Sequence, residues 1–140
     1  MTTRFDHIDL RVPDLAAVIP FYRRLLSELG FVREAQIQSW FQLETEDASE
    51  FFGITEDHSF RPNANRIAFR AASCTEVDAL ARSLLQVGAR NIEGPSLEAP
   101  GYYAVFFEDP FGNRLEIVHR TNSGRVTLPP WPARQTVGPG

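Results

Sequence analysis

His7, Arg66 and Glu116 are the residues whose types and settings most invite chemistry. His7 sits in a stretch, Phe5 to Val12, where Ile8, Leu10 and Val12 alternate with His7, Asp9 and Arg11. That period of two predicts a strand with one apolar and one polar face, and it puts the imidazole on the polar one. Arg66-Ile67-Ala68-Phe69-Arg70 repeats the pattern and places Arg66, Ala68 and Arg70 together. Glu116 stands among Leu115, Ile117 and Val118, so an inward carboxylate there needs a counter-charge or a raised pKa. Arg66 is a cation of matching parity. The same parity argument sends Glu50 and Phe52 inward with Glu116 and Val118.

Other reactive types are less suggestive. Cys74 precedes a helix start, where a thiolate is stabilised, but no partner base accompanies it and it reads as an inert thiol. His58 carries no assignment, and His119 falls on the helix-facing parity. Asp109-Pro110-Phe111-Gly112-Asn113 reads as turn geometry, since Pro sets φ and Gly permits φ > 0. Trp40, Phe52, Tyr102 and Tyr103 read either as walls of an apolar pocket or as ordinary core. No Gly-rich phosphate loop and no Ser/His/Asp arrangement stands out.

The elements that must position these groups follow from periodicity. After the first strand, Asp14 is a helix N-cap candidate, and Leu15, Val18, Ile19, Tyr22, Leu25, Leu26 and Leu29 recur at helical spacing up to Gly30. Pro20 inside that pattern marks either a kink or a tightened first turn. Strands are predicted over Phe31–Gln36, Ser39–Thr45 and Glu50–Ile54, then a polar linker from Thr55 to Ala64. A second round follows: a strand at Asn65–Ala71, a helix capped by Thr75 and ended by Gly88, a Pro-containing loop from Gly94 to Gly101, and strands at Tyr102–Glu108 and Arg114–His119. From Thr121 the chain turns to Pro, Gly and Ser and reads as an extended tail.

The 140 residues suit one domain. Hydrophobic residues are 43% and charged residues 23%, which argues against disorder, and a net charge of -4 is a poor basis for nonspecific nucleic-acid binding. No apolar run reaches a membrane span and no signal peptide is visible, so a soluble cytoplasmic protein is expected. The single cysteine excludes an internal disulfide and a cysteine-rich zinc site.

The chain is a two-part repeat. His7-Ile8-Asp9-Leu10-Arg11 aligns with Arg66–Arg70, Phe41-Gln42-Leu43-Glu44 aligns with Val105–Glu108, and Glu50 aligns with Glu116. Two halves of about 60 residues are too small to be comfortable alone. An α+β architecture is expected, with the sheets forming one half-open curved barrel and both helices on its convex face.

The stretches HIDLRVPDLAAVIPFYRRLLSELGF from His7 and YYAVFFEDPFGNRLEIVHR from Tyr102 resemble the vicinal oxygen chelate superfamily, which groups glyoxalases, bleomycin-resistance proteins and extradiol dioxygenases. The resemblance covers residues 4–120. It implies two βαβββ modules, about residues 4–54 and 65–119, within a domain spanning 1–120, with 121–140 as the tail. It also implies a divalent metal (Ni, Mn, Fe or Zn) held by His7, Glu50 and Glu116, the two carboxylates doubling as proton carriers. Arg66 falls on the fourth ligand position, where a guanidinium has no lone pair to give. The expected activity is a metal-assisted lyase, isomerase or ring-opening dioxygenase. The alternative is a metal-free binding protein of the drug-sequestering type, with Arg66 paired to Glu116 or Glu50. Arg66, Arg70, Arg11, Phe52, Trp40 and Tyr103 are the expected substrate contacts, the arginines favouring an anionic ligand. A homodimer is expected, with no nucleic-acid or membrane partner.

Overall fold

A computed structural model describes residues 4–121. Ten elements follow one another: β1 (His7–Val12), α1 (Leu15–Glu28), β2 (Phe31–Ile37), β3 (Trp40–Thr45), β4 (Phe51–Glu56), β5 (Arg66–Arg70), α2 (Cys74–Leu84), β6 (Arg90–Ala99), β7 (Tyr102–Glu108) and β8 (Arg114–Arg120). They form two four-stranded sheets of matching order, β1-β4-β3-β2 and β5-β8-β7-β6. In each sheet the first strand runs parallel to the last-formed one and the other pairs are antiparallel. This is the expected α+β fold of two βαβββ modules in a half-open curved barrel. The tail expected over 121–140 lies, past Thr121, outside the described residues.

Each helix starts on a side-chain cap. Asp14 accepts from Ala17 N at 3.3 Å, as the sequence suggests. For α2 the cap is Ser73, not Thr75: its hydroxyl accepts from Glu76 N at 3.0 Å, and Glu76 reaches back to accept from Ala72 N at 2.8 Å. Pro20 is inside α1 without ending it. α1 packs on β2, β3 and β4, α2 packs on β6, β7 and β8, and the helices touch each other. Phe21, Tyr22, Leu25, Leu26, Val77 and Leu84 are fully buried between them and the sheets, in one core that both modules share. Arg24 reaches across to donate to Ser83 Oγ at 3.0 Å, and Ser83 donates in turn to Glu28.

The segment expected as a loop from Gly94 to Gly101 is mostly strand. β6 runs through Pro95 because it is an edge strand, where a missing N–H costs no ladder bond, and register shifts between Glu93 and Ser96 absorb the interruption. Among the described residues no helix is long and apolar enough to cross a membrane.

Candidate functional site

The strand ladders fix which residues share the inward face. In the first sheet His7 pairs with Phe51, Asp9 with Gly53 and Gly53 with Gln42. In the second, Arg66 pairs with Arg114, Ala68 with Glu116 and Glu116 with Phe106. The alignments of His7 with Arg66 and of Gln42 with Phe106 agree with these ladders. The alignment of Glu50 with Glu116 does not. Glu116 lies 66 residues after Glu50 but 63 after Gly53, and Gly53 holds the matching ladder position. An odd slip flips the face. Phe51 therefore faces inward, and Phe52 points the other way: it is 2% exposed and stacks on Tyr22 with ring centroids 5.9 Å apart. Glu50 precedes β4, where its carbonyl closes the turn with Thr45 N at 3.0 Å.

Gly53 is not a vacant corner. A Cβ placed there would meet the Trp40 indole at 2.9 Å. Trp40 Nε1 donates to Gln42 Oε1 at 3.0 Å, which holds the ring over the glycine. Trp40 thus covers its own sheet.

Glu116 is 2% exposed and accepts a hydrogen bond from Tyr102 Oη. Burial, followed by that bond and the carboxylate's charge, pushes the Tyr102 phenol well above its ordinary pKa. Arg66 shares this face, with its guanidinium carbon 4.9 Å from the centre of the Phe106 ring. Tyr103, expected at the ligand, faces away: its hydroxyl donates to Asp78 on α2 at 2.5 Å, a bond that raises the phenol pKa. Tyr102 is the tyrosine on the inward face. The sequence placed two tyrosines side by side, and only the register of β7 tells them apart.

His7 stacks flat on Phe51, with centroids 4.3 Å apart and planes 5° from parallel. Its Nδ1 bonds Asp6 Oδ2 at 2.7 Å. Both rings line a cavity of about 710 Å³ between the modules, whose other wall carries Arg70, Arg120, Tyr102 and Val118. Glu50 lies on the rim of this cavity, while Arg11 is turned away and pairs with Asp57 at 3.4 Å.

The residues do not fit a divalent metal held within one chain. The ladder position matching Glu116 is a glycine under an indole, and the position matching His7 is a guanidinium. Among the described residues no three His, Cys, Asp or Glu side chains gather where they could hold a metal ion, so His7, Glu50 and Glu116 do not form a triad.

Comparison with known proteins agrees with the fold. The sequence model of the Glyoxalase/Bleomycin resistance protein/Dioxygenase superfamily matches residues 4–117. The uncharacterized protein YqjT of Bacillus subtilis (strain 168) is 34% identical over 125 residues, covering 80% of this chain and 95% of YqjT. A glyoxalase/bleomycin resistance protein from Albidiferax ferrireducens T118 superposes with a TM-score of 0.74 at 26% identity, over 85% of this chain and all of that one. FosX, the fosfomycin resistance protein of Listeria monocytogenes, in a form complexed with Mn(II) and 1S,2S-dihydroxypropylphosphonic acid, gives 0.68 at 22% identity, over 90% and 97% of the two chains. With the repeat, the paired sheets and the matched span in agreement, this chain belongs to the glyoxalase/bleomycin resistance protein/dioxygenase superfamily.

Proposed function

We propose that this protein binds a small organic anion in the cavity between its modules and does so without a resident metal. The observation that carries the reading is the pair Arg70 and Arg120. Both line the cavity from one sheet face, and neither makes an ion pair among the described residues. Unpaired guanidinium groups in a concave site recognise carboxylate or phosphate oxygens. The donor set described above supports the metal-independent half of the proposal. We extend the reading to a cytoplasmic homodimer: β2 and β6 are uncovered edge strands, and Ile37 and Leu97 on them are 68% and 65% exposed.

The test is elemental analysis of protein purified without chelator, then back-titration with Ni(II), Mn(II), Fe(II) and Zn(II), beside calorimetry with small carboxylates. The expected result is metal well below stoichiometry throughout, with saturable carboxylate binding that Arg70→Ala and Arg120→Ala each weaken roughly tenfold or more, the worth of a charge-assisted hydrogen bond. Stoichiometric metal in the unmodified protein would overturn the metal-independent reading.

A second reading, a metal-independent lyase or isomerase, is favoured by one feature. His7 lies on the cavity wall with Asp6 bonded to its Nδ1, the arrangement that orients an imidazole for proton transfer at Nε2. Turnover abolished by His7→Gln and weakened by Asp6→Asn would support it.

A further inference from the structure

We infer that the ligand of this cavity is an aromatic monocarboxylate, a proposal that rests on the anion-binding reading above. The cavity is divided by chemistry as well as by module. Its second-module wall is cationic, through Arg70 and Arg120, with the Tyr102 hydroxyl beside them. Its first-module wall presents the His7–Phe51 stack, flanked by Asp6 and Glu50.

Each part of this arrangement restricts the ligand. His7 and Phe51 lie face to face, 5° from parallel, and a ligand ring can add to this aromatic pair by a stacked or edge-on contact. Ala68 and Val118 continue the apolar lining on the inward face, so the body of the ligand must be apolar as well as flat. The arginines require negative charge at one end. Arg4 adds a third cation to the lining, while Asp6 and Glu50 bring negative charge to the same cavity, so its charges are nearly balanced with one cation in excess. That balance suits a single carboxylate. A dianion would face Asp6 and Glu50, and an aromatic cation would face three guanidinium groups. With Arg70 and Arg120 on one wall and the stack on the other, the ligand spans the two modules. The volume of about 710 Å³ leaves room for a chain of a few atoms between ring and carboxylate.

The test is calorimetric titration of the full chain with 3-phenylpropanoate, 3-cyclohexylpropanoate, inorganic phosphate and phenyltrimethylammonium. The expected result is that 3-phenylpropanoate binds about three- to tenfold more tightly than its saturated counterpart, the range a stacking contact supplies. Phosphate and the aromatic cation should bind more weakly still. Phe51→Leu should erase the preference for the aromatic acid, so that the two acids bind it with equal affinity. Arg120→Lys, at an exposed position, should weaken both acids together and keep the preference. Equal affinity for the two acids would overturn the aromatic assignment and leave the anion-binding reading standing. Binding of the cation with no binding of either acid would overturn both. If Phe51→Leu fails to fold, the comparison of the two acids on the unmodified protein and on Arg120→Lys decides the matter alone.

Discussion

In the first sheet the cross-strand row Asp9–Gly53–Gln42 lies beneath the Trp40 indole. In the second sheet the matching row is Ala68–Glu116–Phe106, a buried carboxylate between a methyl group and a ring that carries a guanidinium. The scaffold is repeated and the chemistry is not. One module supplies a flat aromatic surface with an Asp–His pair at its edge, and the other supplies positive charge and a phenol bonded to a carboxylate. Arg11 and Arg70 show the same division at equivalent places. One is tied to Asp57 outside the cavity, and the other faces into it with no ion pair among the described residues. A repeat of this kind keeps the strand order that makes a cavity and frees each wall to vary.

The hardest blow to this arrangement falls where the modules are joined. Asp109 is fully buried and accepts from Tyr22 Oη at 2.6 Å, from Asn113 Nδ2 at 2.8 Å and from the backbone N–H groups of Phe111 and Asn113. Asp109→Ala removes the acceptor these four donors share and should cost about 3–5 kcal/mol in urea unfolding, with Tyr22→Phe and Asn113→Ala costing less.

The next test asks whether the glycine in the first module is an occupied corner. Gly53→Ala should destabilise by about 1–3 kcal/mol, because the new methyl meets the Trp40 indole, and adding Trp40→Leu should recover part of the loss. If Gly53→Ala is neutral by itself, the indole is not packed as described and the contrast between the rows weakens.

Alkaline pH probes the phenols of both modules. Tyr22, Tyr102 and Tyr103 are all the tyrosines of the chain, and each has its pKa raised above 10.0. Burial leads for Tyr22 and Tyr102, and the bond to Asp78 leads for Tyr103. The folded state therefore holds these protons more tightly than the unfolded one. Their contribution to stability is complete below the ordinary phenol pKa and is lost as pH climbs through the raised values. Absorbance at 295 nm should show no phenolate step near pH 10 in the native protein, and the signal should appear with loss of near-ultraviolet circular dichroism.

The smallest expected effect is the most discriminating. Arg11→Ala breaks an exposed ion pair and should change stability by less than about 0.5 kcal/mol, with carboxylate affinity unchanged. An effect on affinity as large as that of Arg70→Ala would show that the two walls are not divided as described.

Much of this was legible in the residues. Alternation located β1 and β5, and the helical stripes located α1 and α2, because those elements bury one face each. The inward set was only partly legible. The turn from Thr45 to Glu50 differs from that between β7 and β8, so matching glutamate to glutamate slipped the register and turned Phe52 the wrong way. Nothing in the sequence marks Gly53 as a ladder position, since a glycine carries no parity signal. β6 was hidden by Pro95, which an edge strand tolerates. The Asp-Pro-x-Gly-Asn segment was recognised as a turn, but its partner Tyr22 is 87 residues away, and a contact at that separation leaves no local trace.

Asn113 Nδ2 also donates to Arg11 O at 3.1 Å, so the five-residue turn between β7 and β8 grips both β1 and α1. The buried core is likewise continuous across the two modules. The consequence lies in cooperativity: the protein should unfold in a single transition, and a fragment ending in the linker near residue 60 should not fold when made by itself.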